Sequence, residues 1–326
     1  MVALFVDNKI RKIAKEAEVS EATVKRALGN YFGVNKITKQ RVLAVAERLG
    51  YSFKIKDKDV AIIIPSIPSY FWGRFSDFMG ENAKKEKLNF KIMRYSNIND
   101  AKDALNCINI AIKSGASVII AALPDTELIK NKIEEISNKI CVILVEEQID
   151  IKKTCYIGED SYKAGYELAK TYFSRYRERK SIIIFHYKSE FAGKRTEGFV
   201  DASKEMGINS IIYIDSNIEE QTGATEAVIA RRFSSCEREF DCVYCPAGGV
   251  EKIRKVLKKL RLEKDIHIIG FDKKPGEKHG AEKIIVNQNL EKQSEKAVFV
   301  AKEFIQTGRY PEEKNIYVDN IMVIGE

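Results

Sequence analysis

From residue 60 onward the chain alternates short unbroken apolar runs with stretches of helical periodicity, a pattern that few folds can absorb. Val60-Ala-Ile-Ile-Ile64, closed by Pro65, carries no polar residue on either face, as a parallel strand covered by helices on both sides requires. The spacing then predicts a helix through Phe75, Phe78, Met79 and Ala83, a strand Phe90–Met93 and a helix Ala101–Ser114. A strand Val118–Ile120, a helix Leu128–Ser137 and a strand Cys141–Val145 follow. After Tyr156-Ile-Gly158 the cycle restarts: helix Ser161–Tyr176, strand Ser181–Phe185, helix Arg195–Met206, strand Ser210–Ile214. A helix Gly223–Arg232, a strand Asp241–Tyr244, a helix Gly249–Lys259 and a strand His267–Ile269 complete the series. Two consecutive series predict the α/β class with two doubly wound parallel sheets. In such sheets ligands bind beyond the carboxyl ends of the strands, and two facing domains would enclose a cleft.

The 326 residues exceed what one core holds, and no run approaches the roughly 18–20 apolar residues of a membrane span. The opening Met1-Val-Ala-Leu-Phe-Val6 meets Asp7 and Lys9 at once, without the order of a secretory signal, so a cytoplasmic protein is expected, with no membrane partner. Cys107, Cys141, Cys155, Cys236, Cys242 and Cys245 sit mostly in apolar runs and read as small buried hydrophobes. Cys242-x-x-Cys245 hints at redox or metal work, but it lies in a predicted strand and has no second pair. His186, His267 and His279 show no ligand spacing, so neither a metal nor a cofactor is expected. Enzyme motifs are missing too: the first strand runs into Ile64-Pro-Ser-Ile-Pro-Ser-Tyr70 instead of a glycine-rich phosphate loop, and Gly-x-Ser-x-Gly is absent.

Charge is unevenly placed. Residues 1–58 hold thirteen Lys or Arg against six acids, so +7 of the chain's +8 sits at one end, suggesting a nucleic-acid contact confined there. Ile10, Ile13, Ala14 and Ala17 form the stripe of an amphipathic helix. Ser20 reads as the N-cap of a second helix, Glu21–Leu28, with Val19 and Val24 as its hydrophobic staple and Gly29-Asn30 as its end. Thr38 reads as the cap of a third helix, stapled by Ile37 and Val42, running through Val45, Ala46 and Leu49 and stopped by Gly50. Three short helices with a tight turn between the first two make a helix-turn-helix, whose second helix enters the major groove.

Ile13-Ala14, Val19-Ser20-x-x-Thr23-Val24-x-Arg26 and Arg41-Val42…Leu49-Gly50-Tyr51 resemble the headpiece of the lactose-repressor (LacI/GalR) family of bacterial transcription regulators. The resemblance implies Glu21, Ala22 and Arg26 as base readers, with Ser20, Thr23 and Lys25 nearer the phosphates. Arg26 suits guanine and Ala22 a thymine methyl. Glu21 is open to two readings, an acceptor for cytosine or a first-turn acid favouring the helix dipole. Two positions depart from the family: Glu18 stands where a glycine is usual, and Lys25 replaces a small hydroxyl residue. The linker, Ser52-Phe-Lys-Ile-Lys-Asp-Lys-Asp59, lacks the usual Ala-Arg and Leu and is shorter by roughly two helical turns, so a leucine wedge in the minor groove is not expected.

The body resembles the type I periplasmic-binding-protein fold with which that family senses small molecules. The matching marks are Gly115-Ala-Ser-Val-Ile-Ile, Ile157-Gly-Glu-Asp160-x4-Gly165, Arg195-x-x-Gly198-Phe199, Ile269-Gly-Phe-Asp272 and Val286-Asn-Gln288. The expected organisation is a headpiece at 1–52, a linker at 53–59 and an effector-binding and dimerisation domain at 60–326. Lobe one would span about 60–158 and 289–316, lobe two about 159–288 and 317–326. The resemblance carries Phe71, Trp72, Asp125, Glu146, Arg195, Asp272 and Gln288 to the effector site. Phe71 and Trp72 are open to core packing instead, and Arg195 to a pairing that caps its own helix. Where the family usually presents Asn-Asp, this chain has Cys245-Pro246, which hydrogen-bonds less well. The expected partners are a double-stranded DNA operator, a carbohydrate-like effector bound between the lobes and a second copy of the chain. The rival reading is a small-molecule receptor without a DNA role.

Overall fold

The computed structural model describes residues 10–28, 34–49, 59–67, 69–178, 181–186, 189–215, 230–231, 233–234, 240–247, 249–272 and 282–325. Gly29, Asn30, Gly50, the linker up to Lys58, Cys236, His279 and most of the helix expected over Gly223–Arg232 lie outside the described residues.

The N-terminal stretch forms three helices: α1 at 10–16, α2 at Glu21–Leu28 and α3 at Lys36–Arg48. Ile13, Ala17, Val24 and Val42 are fully buried and, with Ile10, Ala14, Ala27, Leu28, Val45 and Ala46, make one small core. Ser20 caps α2 as expected, its Oγ accepting from the Thr23 N–H at 3.0 Å. The start of α3 differs from expectation. Asn35 is the cap, its Oδ1 accepting from the Thr38 N–H at 2.8 Å, so Thr38 lies inside the helix. Ile37 is 79% exposed and staples nothing. Asn-Lys-Ile-Thr offers two capping side chains three residues apart, and the earlier one wins because it satisfies a donor a turn sooner.

The body follows in chain order as β1 (Asp59–Pro65), α4 (Tyr70–Lys85), β2 (Asn89–Tyr95), α5 (Ala101–Lys113), β3 (Ala116–Ala121), α6 (Glu127–Ile136), β4 (Cys141–Val145) and β5 (Thr154–Gly158). Next come α7 (Ser161–Arg175), β6 (Ser181–His186), α8 (Glu190–Glu205), β7 (Ser210–Asp215), β8 (Cys242–Cys245), α9 (Val250–Leu260), β9 (His267–Phe271) and β10 (Glu282–Asn287). The last elements are α10 (Leu290–Thr307), β11 (Asn315–Tyr317) and β12 (Ile321–Ile324). Helix starts are set by side-chain caps at Ser69, Asp100, Thr126, Asp160 and Ser189, each accepting from a backbone N–H three residues on.

Residues 1–157 with 290–316 make one compact unit, and 158–289 with 317–326 the other. The first holds a six-stranded sheet in the order β11-β5-β4-β3-β1-β2, with β1, β2, β3, β4 and β5 paired in parallel. The second holds a six-stranded sheet in the order β12-β10-β9-β8-β6-β7. Its pairings are parallel except at the edge, where β12 runs antiparallel to β10 with Ile284 opposite Ile324. Cys242 and Cys245 are both buried in β8 but belong to different layers, Cys242 beside Tyr244 and Cys245 beside Val243. A spacing of three along a strand sends two side chains to opposite faces, so these thiols serve packing and cannot form a pair.

Candidate functional site

Two constellations stand apart from ordinary packing. The first is the outer face of α2. Val24, Ala27 and Leu28 face the headpiece core, which leaves Ala22, Lys25 and Arg26 exposed on the opposite face. Ser20 is exposed as well, and its Oγ lies 2.8 Å from the Thr23 Oγ1, so both hydroxyls crowd the helix start. Glu21, the first residue of α2, accepts from the Arg11 Nε of α1 at 3.2 Å. Glu18 holds the turn between α1 and α2 at φ 52°, the left-handed conformation that explains why glycine is usual there. A small positively charged unit thus presents a capped helix whose outward residues include Lys and Arg.

The second constellation lies in the second unit, at the carboxyl ends of its strands. Arg195 is fully buried. Its Nε donates to the Glu159 Oε1, its Nη1 donates to the Pro246 carbonyl at 2.7 Å, and Nη1 lies 3.7 Å from the Asp272 Oδ2. The guanidinium is sandwiched by the rings of Phe271 at 4.0 Å and Phe191 at 4.9 Å. Glu159 is held in turn by the Ser161 Oγ at 3.0 Å and the Asn320 Nδ2 at 2.7 Å. Asp272 follows β9 directly at φ 59°, and its backbone N–H donates to the Val286 carbonyl at 2.9 Å. Burial pushes its carboxyl up to about 6, and Glu159 adds to the shift. The Arg195 charge and hydrogen bonds from Gln288 pull the other way.

The structure therefore brings Arg195, Asp272 and Gln288 together. It also corrects the start of the helix that carries Arg195. α8 begins at Glu190 under a Ser189 cap, so Arg195 lies inside the helix and caps nothing. Its position depends on a close helix crossing: a methyl group on Gly165 would lie 1.9 Å from the Arg195 carbonyl oxygen, and one on Gly198 would lie 2.0 Å from that of Tyr162. Sequence reasoning missed Glu159, Asn320, Phe191 and Phe271. Glu159 and Phe271 stood inside quoted marks, at strand ends, and could have been read from that placement. Asn320 carried no signal of its own.

In the first unit the remaining residues lie beyond the ends of β1, β3 and β4. Trp72 is 5% exposed and meets the Phe75 ring edge-on at 6.1 Å, so it takes the packing reading. Phe71 is half-buried, stacked on Phe75 at 6.3 Å and meeting Trp72 edge-on at 5.0 Å. Asp125 is exposed and paired with Lys130 at 2.7 Å. Glu146 follows β4 at φ 68°, and its carbonyl accepts from the Tyr156 Oη at 3.4 Å. Glu146 and Asp272 are thus non-glycine residues held left-handed at the ends of corresponding strands in the two sheets, a strain that collects at binding sites.

A profile described as Periplasmic binding protein domain matches residues 60–309, and one described as Bacterial regulatory proteins, lacI family, matches residues 9–52. The HTH-type transcriptional regulator DegA of Bacillus subtilis (strain 168) is 24% identical over 278 residues, covering 81% of each chain. The HTH-type transcriptional repressor PurR of Pasteurella multocida is 22% identical over 282 residues, covering 81% of each. Among solved structures, a periplasmic solute-binding protein of Actinobacillus succinogenes with bound D-allose superposes at TM-score 0.70 and 15% identity, over 82% of this chain and 97% of that one. The myo-inositol-binding protein of Caulobacter superposes at TM-score 0.69 and 17% identity, over 82% and 94%. These two share the fold. No helix among the described residues is long and apolar enough to cross a membrane.

Proposed function

The chain belongs to the lacI family of bacterial regulatory proteins, and from that premise we propose that it is a cytoplasmic, homodimeric transcription regulator whose operator affinity is set by a carbohydrate-like effector. The observation that carries the reading is the folded, capped α2, with Ala22, Lys25 and Arg26 turned outward from a closed three-helix core.

Arg26 reads a guanine by two parallel hydrogen bonds, Ala22 packs on a thymine methyl, and Ser20, Thr23 and Lys25 fix the helix on phosphates. Two copies place two such helices on half-sites of an operator with two-fold symmetry, a whole number of helical turns apart. The effector is polar and cyclic, taken up at the strand ends of the second unit by Arg195, Asp272 and Gln288; Glu146 and the Phe71 face are the strand-end candidates of the first unit. Trp72 backs Phe71, and Asp125 is the candidate beyond β3. Carboxylates and amides fork onto hydroxyls. Effector binding changes DNA affinity by the difference in its affinity for the two regulatory states.

The rival, a solute receptor without a DNA role, leaves the basic helix-turn-helix without a purpose. Selection of binding sequences from a randomised duplex library with the full-length chain tests the reading. Wild type is expected to enrich a two-fold symmetric motif, and Arg26→Ala to lose the guanine preference at one position of each half-site. Failure of the wild type to enrich any motif refutes sequence-specific reading. A thermal-shift screen against sugars, sugar phosphates and nucleosides tests the effector class, since a ligand bound only by the folded state raises the melting temperature.

A further inference from the structure

The Arg11–Glu21 pair is not explained by folding. Its side chains are 69% and 42% exposed, and an ion pair that open to water adds little to stability. The headpiece is closed instead by Ile13, Ala17, Val24 and Val42, all at 0% exposure. Yet the pair lies where the family resemblance puts a base reader. Glu21 is the first residue of that helix, beside the exposed Ala22, and Arg11 reaches it from α1 across ten residues of chain.

We propose that Arg11 is a positioning residue for base reading, holding the Glu21 carboxylate so that its second oxygen accepts a hydrogen bond from the exocyclic amine of a cytosine in each operator half-site. The inference rests on the DNA-reading role given above and goes one residue beyond it. A carboxylate only accepts, so it is matched to a base-edge donor. In the major groove those donors are the amines of cytosine and adenine. Adenine's amine is flanked by two acceptors, its own N7 and the O4 of the paired thymine, which repel a carboxylate, whereas cytosine's amine has an acceptor, the O6 of the paired guanine, on one side only. A bare carboxylate at this place would also be repelled by the phosphates. Arg11 offsets that charge and fixes one oxygen, Oε1, leaving Oε2 in a single orientation toward the groove. Two exposed, flexible side chains thereby become one oriented acceptor, and both readings left open by the sequence for Glu21 give way to a coupled one.

The test is the same randomised-duplex selection, run at fixed salt with the full-length wild type, Arg11→Ala, Arg11→Lys, Glu21→Gln and the Arg11→Ala/Glu21→Gln double variant. Melting curves establish that each headpiece is folded, and Arg11→Gln replaces Arg11→Ala if the latter is not. Wild type is expected to prefer cytosine at one position of each half-site by about fivefold or more. Arg11→Ala is expected to flatten that position while sparing the rest of the motif. Glu21→Gln shifts the position toward adenine, whose amine and N7 suit an amide. Arg11→Lys keeps part of the cytosine preference. At that position the double variant should discriminate no less than the weaker single, since both substitutions break one unit. If Arg11→Ala weakens binding to all sequences equally and cytosine preference persists, Arg11 touches only phosphate and the proposal is overturned. Persistence of the preference in Glu21→Gln overturns it equally. If the wild type enriches no motif at all, the DNA-reading role itself has failed, an outcome separate from either of these.

Discussion

Replacing Gly165 by alanine inserts one methyl group where α7 and α8 touch backbone to backbone. The new carbon would sit 1.9 Å from the Arg195 carbonyl oxygen and 2.7 Å from its carbonyl carbon. Carbon–oxygen contacts settle near 3.3–3.6 Å, so the helices must part by about 1.5 Å at the crossing. Neither contacted atom can swing aside, because both belong to the backbone in the middle of α8. The core around the crossing contains Leu168, Ala169, Phe173, Phe199 and Ala202, all nearly or fully buried, and it opens when the helices separate. Overpacking of this kind costs roughly 1–3 kcal/mol, and a contact with rigid backbone places Gly165→Ala toward the upper end. At about 2–4 °C per kcal/mol for a body of this size, the melting transition of the second unit should fall by roughly 4–12 °C. Gly193→Ala supplies the internal comparison: it lies in α8, the helix that Gly165 meets, with nothing within 4 Å of the added carbon. That change should raise stability by about 0.5–1 kcal/mol, because alanine restricts the unfolded chain and favours helix. Differential scanning calorimetry of the two full-length variants measures both shifts. Equal shifts, or a Gly165→Ala transition within a degree of wild type, would show that the close approach does not constrain the crossing.

Further outcomes follow from the same geometry. Because the Asp272 carboxyl is raised from 3.8 to about 6, its contribution to stability is fully present below pH ~4 and is lost as pH climbs through 6. Asp272→Asn should match wild type near pH 4 and exceed it by about 2–3 kcal/mol above pH 7 in denaturant titrations, and a pH-independent difference would refute the assignment. Asn35→Ala removes the cap of α3 and should cost the headpiece about 0.5–2 kcal/mol, whereas Thr38→Ala should cost distinctly less; the reverse order would restore Thr38 as the cap. Glu18→Gly relieves a left-handed residue of about 1–2 kcal/mol but adds freedom to the unfolded chain, so the headpiece melt should rise by up to about 1 kcal/mol; a fall would mean that the Glu18 side chain stabilises the turn.

Much of the architecture was legible because its signals are local. β4 spans Cys141–Val145, the run of five apolar residues that announced it, and all five are buried. The Ser20 cap and the inward Val24, Ala27 and Leu28 of α2 follow from spacing alone. The opposed thiols of β8 follow from the two-residue period of a strand. Local signals failed where two residues offered the same service, as Asn35 and Thr38 do, and where a helix began before its periodicity became visible, as α8 does.

From its amino acids alone the chain determined where helices and strands run, which faces they bury and that one end is basic. Periodicity, capping and charge act over a few residues, so no partner from elsewhere in the chain was needed. The tertiary structure decided which side chains meet. Arg195 is drawn inward because Glu159, 36 positions away, and the Pro246 carbonyl, 51 positions away, meet it in a space walled by Phe191 and Phe271. Arg11 is fastened to Glu21 only because α1 and α2 fold onto a shared core. A buried charge is tolerable only with partners around it, and chain folding, which no local pattern encodes, selects those partners.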